Sequence, residues 1–296
     1  MSSSGADRRA DLAPALALLL NAFVWGVSWW PFRELHRMGL HPLWATALIY
    51  LVSLALLLAV RPHAWREFAR EPLLWLLMAG AGLTNVGFNW GVTVGDVVRV
   101  VLLFYLMPAW TVVLAWMLLG QRPTATAMVR LAIAMAGVLF VLKAPDTPWP
   151  VPQSIADWLA IAGGFSFALT NVVLRRLRHV PAPSRILAMF AGGAVLATVS
   201  GFIGAAWGLV PAIPAPNAGW IVVGLALSLG FLASNIALQF GAARLDAHTS
   251  ALIMLSEIVF ASVTSVALGA AEMTSRTLIG GALILFAAAW SALSAQ

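Results

Sequence analysis

The chain has no cysteine, one lysine, two tyrosines and very little charge, only 9% of its 296 residues. Each shortage excludes something. Without cysteine there are no disulfides, no iron–sulfur clusters, no thiolate zinc sites and no cysteine nucleophile. Soluble domains carry charge on about a quarter of their residues. A chain this poor in charge, 61% hydrophobic and with a mean hydropathy of +0.92, is therefore an integral membrane protein. The 16 arginines punctuate apolar runs instead of gathering with aromatic residues on one face, so nucleic acid is not an expected partner. There is no Walker A sequence and no glycine-rich dinucleotide fingerprint, which argues against a self-contained ATP-driven pump. Paired acids, a His–acid pair or a metal cluster near one leaflet are also missing, so a membrane-embedded transferase lacks its chemistry. No cofactor and no metal are expected, and the expected unit is one chain in a lipid bilayer.

What is present is a series of apolar runs. Between charges and Pro/Gly breakers they predict an all-α protein with ten transmembrane helices, at about 12–31, 42–60, 72–92, 97–119, 125–143, 155–174, 185–209, 218–240, 248–269 and 276–294. The runs are continuous, not alternating, which excludes a β-barrel. The first is too long and too rich in tryptophan for a signal peptide and should remain as a span. With ten spans, twelve basic residues fall on the side of the N-terminus and five (Arg33, Arg37, Arg99, Lys143 and Arg276) on the other. This bias places both termini in the cytoplasm. Trp29, Trp30, Trp75, Trp149, Trp158 and Trp220 lie near span ends and read as interfacial anchors.

The sequence also repeats. A shift of 150 residues places Gly80 on Gly230, Asn85 on Asn235, Gly91 on Gly241, Asp96 on Asp246 and Thr124 on Thr274. A shift of 142 places Ser28 on Thr170 and Arg33 on Arg175. Five spans per copy is an odd number, so the copies must face opposite ways, as in many secondary carriers. The expected organisation is a tail at 1–11, a first five-helix repeat at 12–143, a linker at 144–154 and a second repeat at 155–296.

Trp25-Gly26 with Ser28, the helix end Leu119-Gly120-Gln121-Arg122-Pro123-Thr124, its counterpart Glu272-Met273-Thr274, and the pair Met107-Pro108 and Ser256-Glu257-Ile258 stand in a fixed order along the chain. Together they resemble the drug/metabolite transporter superfamily of the EamA type. The chain departs from the pattern where Gln121 replaces a frequent Glu, where two alanines separate Gly269 from Glu272, and where the second copy lacks the proline. Within the superfamily it resembles bacterial inner-membrane exporters of aromatic amino acids. That resemblance implies ten helices around a central cavity, an inner-membrane location and efflux of small molecules.

Polar groups in mid-span are functional candidates because hydrocarbon penalises them. Asn85 and Asn89 share one helix face, and Asn235 and Gln239 repeat the pair. These amides suit the walls of one chamber, or else simply bond helix to helix. Glu257, the acid nearest a span centre, suits proton carriage or a substrate ammonium; the alternative is a hydrogen-bonded structural glutamate. Trp25 with Ser28, Phe167 with Asn171, and Tyr105 with Trp110 complete the substrate-binding candidates. Pro108 removes the helical hydrogen bond to Phe104 and predicts a hinge. Asp96 and Asp246 read as N-caps, with a gate pairing to Arg99 or Arg244 as the alternative, and His248 reads as a capping or gating group. The functional expectation is a secondary exporter of small amphipathic metabolites, aromatic and other apolar amino acids first, working by alternating access. The alternatives are export of drugs or other metabolites and, from a different class, a passive channel or a membrane-embedded transferase.

Overall fold

A computed structural model describes residues 4–120, 122, 124–143, 151–242, 244–245 and 247–293. Asp246, Gln121, Pro123, Trp149 and the segment 144–150 lie outside the described residues. Every regular element described is helical. They are α1 (Ser4–Val27), α2 (Trp29–Arg37), α3 (Pro42–Val60), α4 (Leu73–Val94), α5 (Val97–Phe104), α6 (Met107–Leu119), α7 (Ala125–Leu142), α8 (Ile155–Arg176), α9 (Ala182–Ala206), α10 (Ala218–Ala242), α11 (Ala247–Met254), α12 (Ser256–Ala267) and α13 (Ser275–Leu293), with short 3₁₀ turns at Ala64–Ala69 and Leu177–His179.

The helices begin and end where local chemistry dictates. Asp96, Thr124 and Ser154 accept hydrogen bonds from the backbone N–H groups of Arg99, Ala127 and Asp157, capping α5, α7 and α8. Gly120 and Gly269 follow α6 and α12 with φ of 68° and 65°, the left-handed conformation that terminates a helix and that a side chain would strain.

Three expected spans are broken. The first breaks at Ser28, the fourth at Tyr105–Leu106 and the ninth at Leu255. The fourth is explained by Pro108, the second residue of α6, which has no N–H to donate to the Phe104 carbonyl. Pro31, the third residue of α2, likewise has no N–H to donate to the Val27 carbonyl, and the Ser28 hydroxyl donates to the Trp25 carbonyl at 2.8 Å. The ninth has no proline; there the Ser256 hydroxyl donates to the Ile253 carbonyl at 2.7 Å and competes with the helix ladder.

Among the described residues, seven helical stretches are long and apolar enough to cross a membrane, where the sequence led us to expect ten. In α4, Asn85 and Asn89 lower the hydropathy, and two further apolar helices are described over Leu252–Ala267 and Ser275–Trp290. The chain is nonetheless a multi-pass membrane protein, with large apolar side chains such as Val60, Met117 and Leu209 left exposed around it.

α4 packs on α8 and α9, while α10 packs on α1 and α3; α8 also carries α5 and α6, α1 also carries α12, and α7 lies against α13. Packing is close at the last of these crossings. A Cβ at Gly137 would stand 2.7 Å from the Gly280 carbonyl oxygen, and one at Gly280 would stand 2.6 Å from that of Gly137.

Candidate functional site

The middle of the bundle is built from aromatic rings that meet in sequence across six helices. Tyr50 on α3 lies 5.8 Å from Phe231 on α10, and Phe231 stacks on Trp25 of α1 at 4.6 Å and 21°. Trp25 meets Phe88 on α4 edge-on at 5.9 Å, and Phe88 meets Phe104 of α5 at 4.9 Å. Phe104 then contacts Phe167 on α8 at 5.5 Å and its neighbour Tyr105 at 6.4 Å. Offset and edge contacts at these separations are favourable ring geometries. Among the described residues, rings in mutual contact occupy the depth at which the resemblance implied an open cavity.

Polar groups stand at both ends of this run. At one end the Tyr50 hydroxyl donates to Asn85 Oδ1 at 2.7 Å, and Asn89 Nδ2 donates to Thr46 Oγ1 at 3.3 Å. All four residues are buried, and among the described residues Asn89 Oδ1 is left without a donor. At the other end the breaks of α5–α6 and α11–α12 come together. The Tyr105 hydroxyl lies 3.3 Å from Glu257 Oε2 and 3.4 Å from the Met254 carbonyl oxygen, which stands beside the break at Leu255. Both side chains are buried. Gly26 of α1 presses on the same place, since a Cβ there would fall 2.7 Å from the Glu257 carbonyl oxygen. Tyr105 also lines a cavity of about 20 Å³ with Arg130, Ala134 and Ile284, large enough for about one water molecule. An ionisable carboxylate, a phenol, two amides and a wall of rings can bind an amphipathic solute carrying a positive charge.

Residues 12–143 match the EamA-like transporter family. No curated protein matches the chain. Among fifteen matching solved chains is a crystal structure of a protein 20% identical in sequence, with a TM-score of 0.59 over 98% of this chain and 99% of that one. At that identity the likeness shows a shared fold.

Of the remaining candidates, Ser28, on the EamA-like segment, bonds within its own helix at the α1–α2 break. Trp110 meets Phe165 at 5.5 Å, with a buried Nε1 that has no acceptor among the described residues. Asn171 and Gln239 are half-buried, as is Asn235, whose buried Oδ1 has no donor among the described residues. No hydrogen bond among the described residues joins Asn235 or Gln239 to Asn85 or Asn89. The α10 polar contact runs instead through Ser234, whose hydroxyl and carbonyl accept from Asn21 Nδ2 at 2.6 and 3.0 Å. Pro108 and His248 fall in α6 and α11.

A second polar centre lies at the end of the bundle where α5 and α8 begin. The Arg99 guanidinium meets Asp157 in a two-pronged pair, Nε to Oδ1 at 2.8 Å and Nη2 to Oδ2 at 2.9 Å, and also donates to the Val141 carbonyl. Its side chain thus pairs with Asp157 and not with Asp96, because the Asp96 carboxylate caps α5 through the Arg99 N–H and accepts from the Glu272 N–H at 3.1 Å. Arg33 donates to the Val92, Gly95 and Ala270 carbonyls. Asp157 and Asn21 escaped the sequence reading. Asp157 sits in the Ser154 capping turn, and Asn21 falls on Asn171 only under the shift of 150, whereas the first helices align at 142. Trp29, read as an anchor, is buried at 3% exposure and donates from Nε1 to Thr264 Oγ1 at 3.0 Å, whereas Trp30, Trp75 and Trp158 are exposed.

Proposed function

We propose that this protein is a secondary transporter of small amphipathic molecules, exporting aromatic and other apolar amino acids across a bacterial-type inner membrane by alternating access. The observation that carries the reading is the meeting of two helix breaks at a buried phenol and carboxylate. Interrupted helices at mid-depth are how carriers expose polar groups to a substrate. The breaks at Tyr105 and Leu255 are 150 residues apart, the same shift that superimposes the sequence repeat.

Other features support two inverted five-helix units. α5 and α11 begin 150 residues apart, as do α7 and α13, and Thr274 caps α13 through the Thr277 N–H just as Thr124 caps α7. The packing of α4 on α8 has its counterpart in α10 on α1, and that of α5 and α6 on α8 in α12 on α1. The family match ends at residue 143, where the first unit is expected to end. The bias of basic residues orients both termini to the cytoplasm.

In the working cycle, the rings around Trp25 part to admit the apolar body of the solute. Glu257 takes its ammonium or a coupled proton, and the amides of Asn85 and Asn89 take its carboxylate. The test is uptake into proteoliposomes of labelled phenylalanine, tryptophan, methionine and threonine, each with and without a pH gradient. Saturable uptake of the aromatic and apolar members supports the cargo proposed. Inertness toward every amino acid, with transport of cationic drugs instead, moves the protein to the drug-exporting branch of the reading.

A further inference from the structure

The Arg99–Asp157 pair plays no part in the central site, yet it is the most enclosed ion pair among those described, with Asp157 only 1% exposed. We propose that α5 is the gate of this end of the bundle and that Arg99 with Asp157 is its latch. The inference rests on the carrier reading above.

α5 is a short rigid rod, Val97–Phe104, isolated by the Asp96 cap at one end and by the break at Tyr105 at the other. At the capped end its ties run to α8 through Asp157, to the end of α7 through the Val141 carbonyl, and to the segment before α13 through Glu272. A pocket of about 480 Å³ lies against this latch, lined by Asp96, Arg99, Lys143, Glu272 and Arg276. The ion pair therefore separates an outer vestibule from the ring-filled interior. At the inner end of the same rod, Tyr105 touches Glu257. With a rise of 1.5 Å per residue, the six residues from Arg99 to Tyr105 place latch and sensor about 9 Å apart on one helix. A solute that takes Glu257 away from Tyr105 shifts the inner end of α5 and loads the latch at the outer end. Arg33, which ties α2 to the end of α4 and to Ala270, holds the neighbouring edge. Arg99 and Asp157 are positioning residues: they set which end is open without touching the solute.

The chain has no native cysteine, so introduced thiols report without background. Ala160 lies one turn beyond Asp157 on α8 and is fully buried. In Ala160→Cys protein held in detergent micelles, Asp157→Asn and Arg99→Gln should each raise the labelling rate by a water-soluble thiol reagent at least about tenfold, as expected when a buried charge pair is broken. The exchanged pair Arg99→Asp with Asp157→Arg should return the rate toward that of the parent. In proteoliposomes, joining Arg99→Cys to Asp157→Cys with a reducible bifunctional thiol reagent should stop solute exchange, and reductant should restore it. Unchanged labelling in both single variants, or exchange at the parental rate after cross-linking, overturns the latch. If the parent protein exchanges no solute, the carrier reading fails by itself, and the labelling rates still decide whether the pair closes this end.

Discussion

Removing the Tyr105 hydroxyl is a small and well-defined perturbation. Tyr105→Phe keeps the ring against Phe104 and deletes one O–H donor shared between Glu257 at 3.3 Å and the Met254 carbonyl at 3.4 Å. Side-chain hydrogen bonds between membrane helices are worth about 0.6 kcal/mol on average and about 1.7 kcal/mol at most. A bond made in only one of two carrier conformations, when lost, shifts their equilibrium by about threefold on average and by less than about twentyfold. Transport by Tyr105→Phe should therefore be slowed and not abolished. Glu257→Gln is the contrasting change, since it keeps the volume and an acceptor for Tyr105 but removes the carboxylate. It should abolish transport or erase its pH dependence. The assay is the exchange rate in proteoliposomes from pH 5 to 9, with monodisperse elution in detergent as the check on folding. Full activity of Glu257→Gln at every pH, or a Tyr105→Phe loss as deep as that of Glu257→Gln, refutes the reasoning.

Three further outcomes are expected. Gly137→Ala or Gly280→Ala puts a methyl within 2.7 or 2.6 Å of a facing carbonyl oxygen that belongs to backbone and cannot swing aside. Each should cost about 1–3 kcal/mol, and the double variant less than the sum because both act at one crossing; unchanged thermal unfolding in detergent contradicts this. Trp25→Ala removes the ring stacked on Phe231 and should raise KM for phenylalanine or tryptophan more than for threonine, and an equal change for all three removes Trp25 from recognition. His41 accepts the Leu43 N–H through Nδ1 and is pushed down to about 4 by burial, with His36 nearby adding to the effect. The folded protein thus takes up this proton later than the unfolded chain, whose His titrates near 6.5. Stability should be full above about pH 6.5 and fall toward pH 4, and His41→Asn, which retains a capping acceptor, should flatten that slope in thermal unfolding.

Local signals in this chain are strong where one residue decides the backbone. Thr124 before Ala125, Asp96 before Val97 and Gly120 after Leu119 mark helix ends that the structure keeps. Pro108 likewise announces the interruption of the fourth span. Pro31 does the same for the first span, but the break at Leu255 was not legible, because a serine such as Ser256 in an apolar run bonds outward to another helix as readily as back to its own carbonyl. Partner choice was the least legible level. Asn85 and Asn89 share a face as their spacing requires, but only the fold brings Tyr50 and Thr46 to them from α3. Trp29 and Trp30 are adjacent and chemically identical; helix geometry turns one toward Thr264 and the other outward. Arg99 lies 58 residues from Asp157, and no periodicity connects them.

The most direct measurement of the central claim is counterflow. Proteoliposomes loaded with unlabelled phenylalanine are diluted into a trace of labelled phenylalanine, with no ion gradient applied. A carrier whose single site alternates between the two sides accumulates label transiently above its equilibrium level, and the overshoot saturates with substrate. Uptake that rises linearly with concentration and never exceeds equilibrium identifies a channel and contradicts the account.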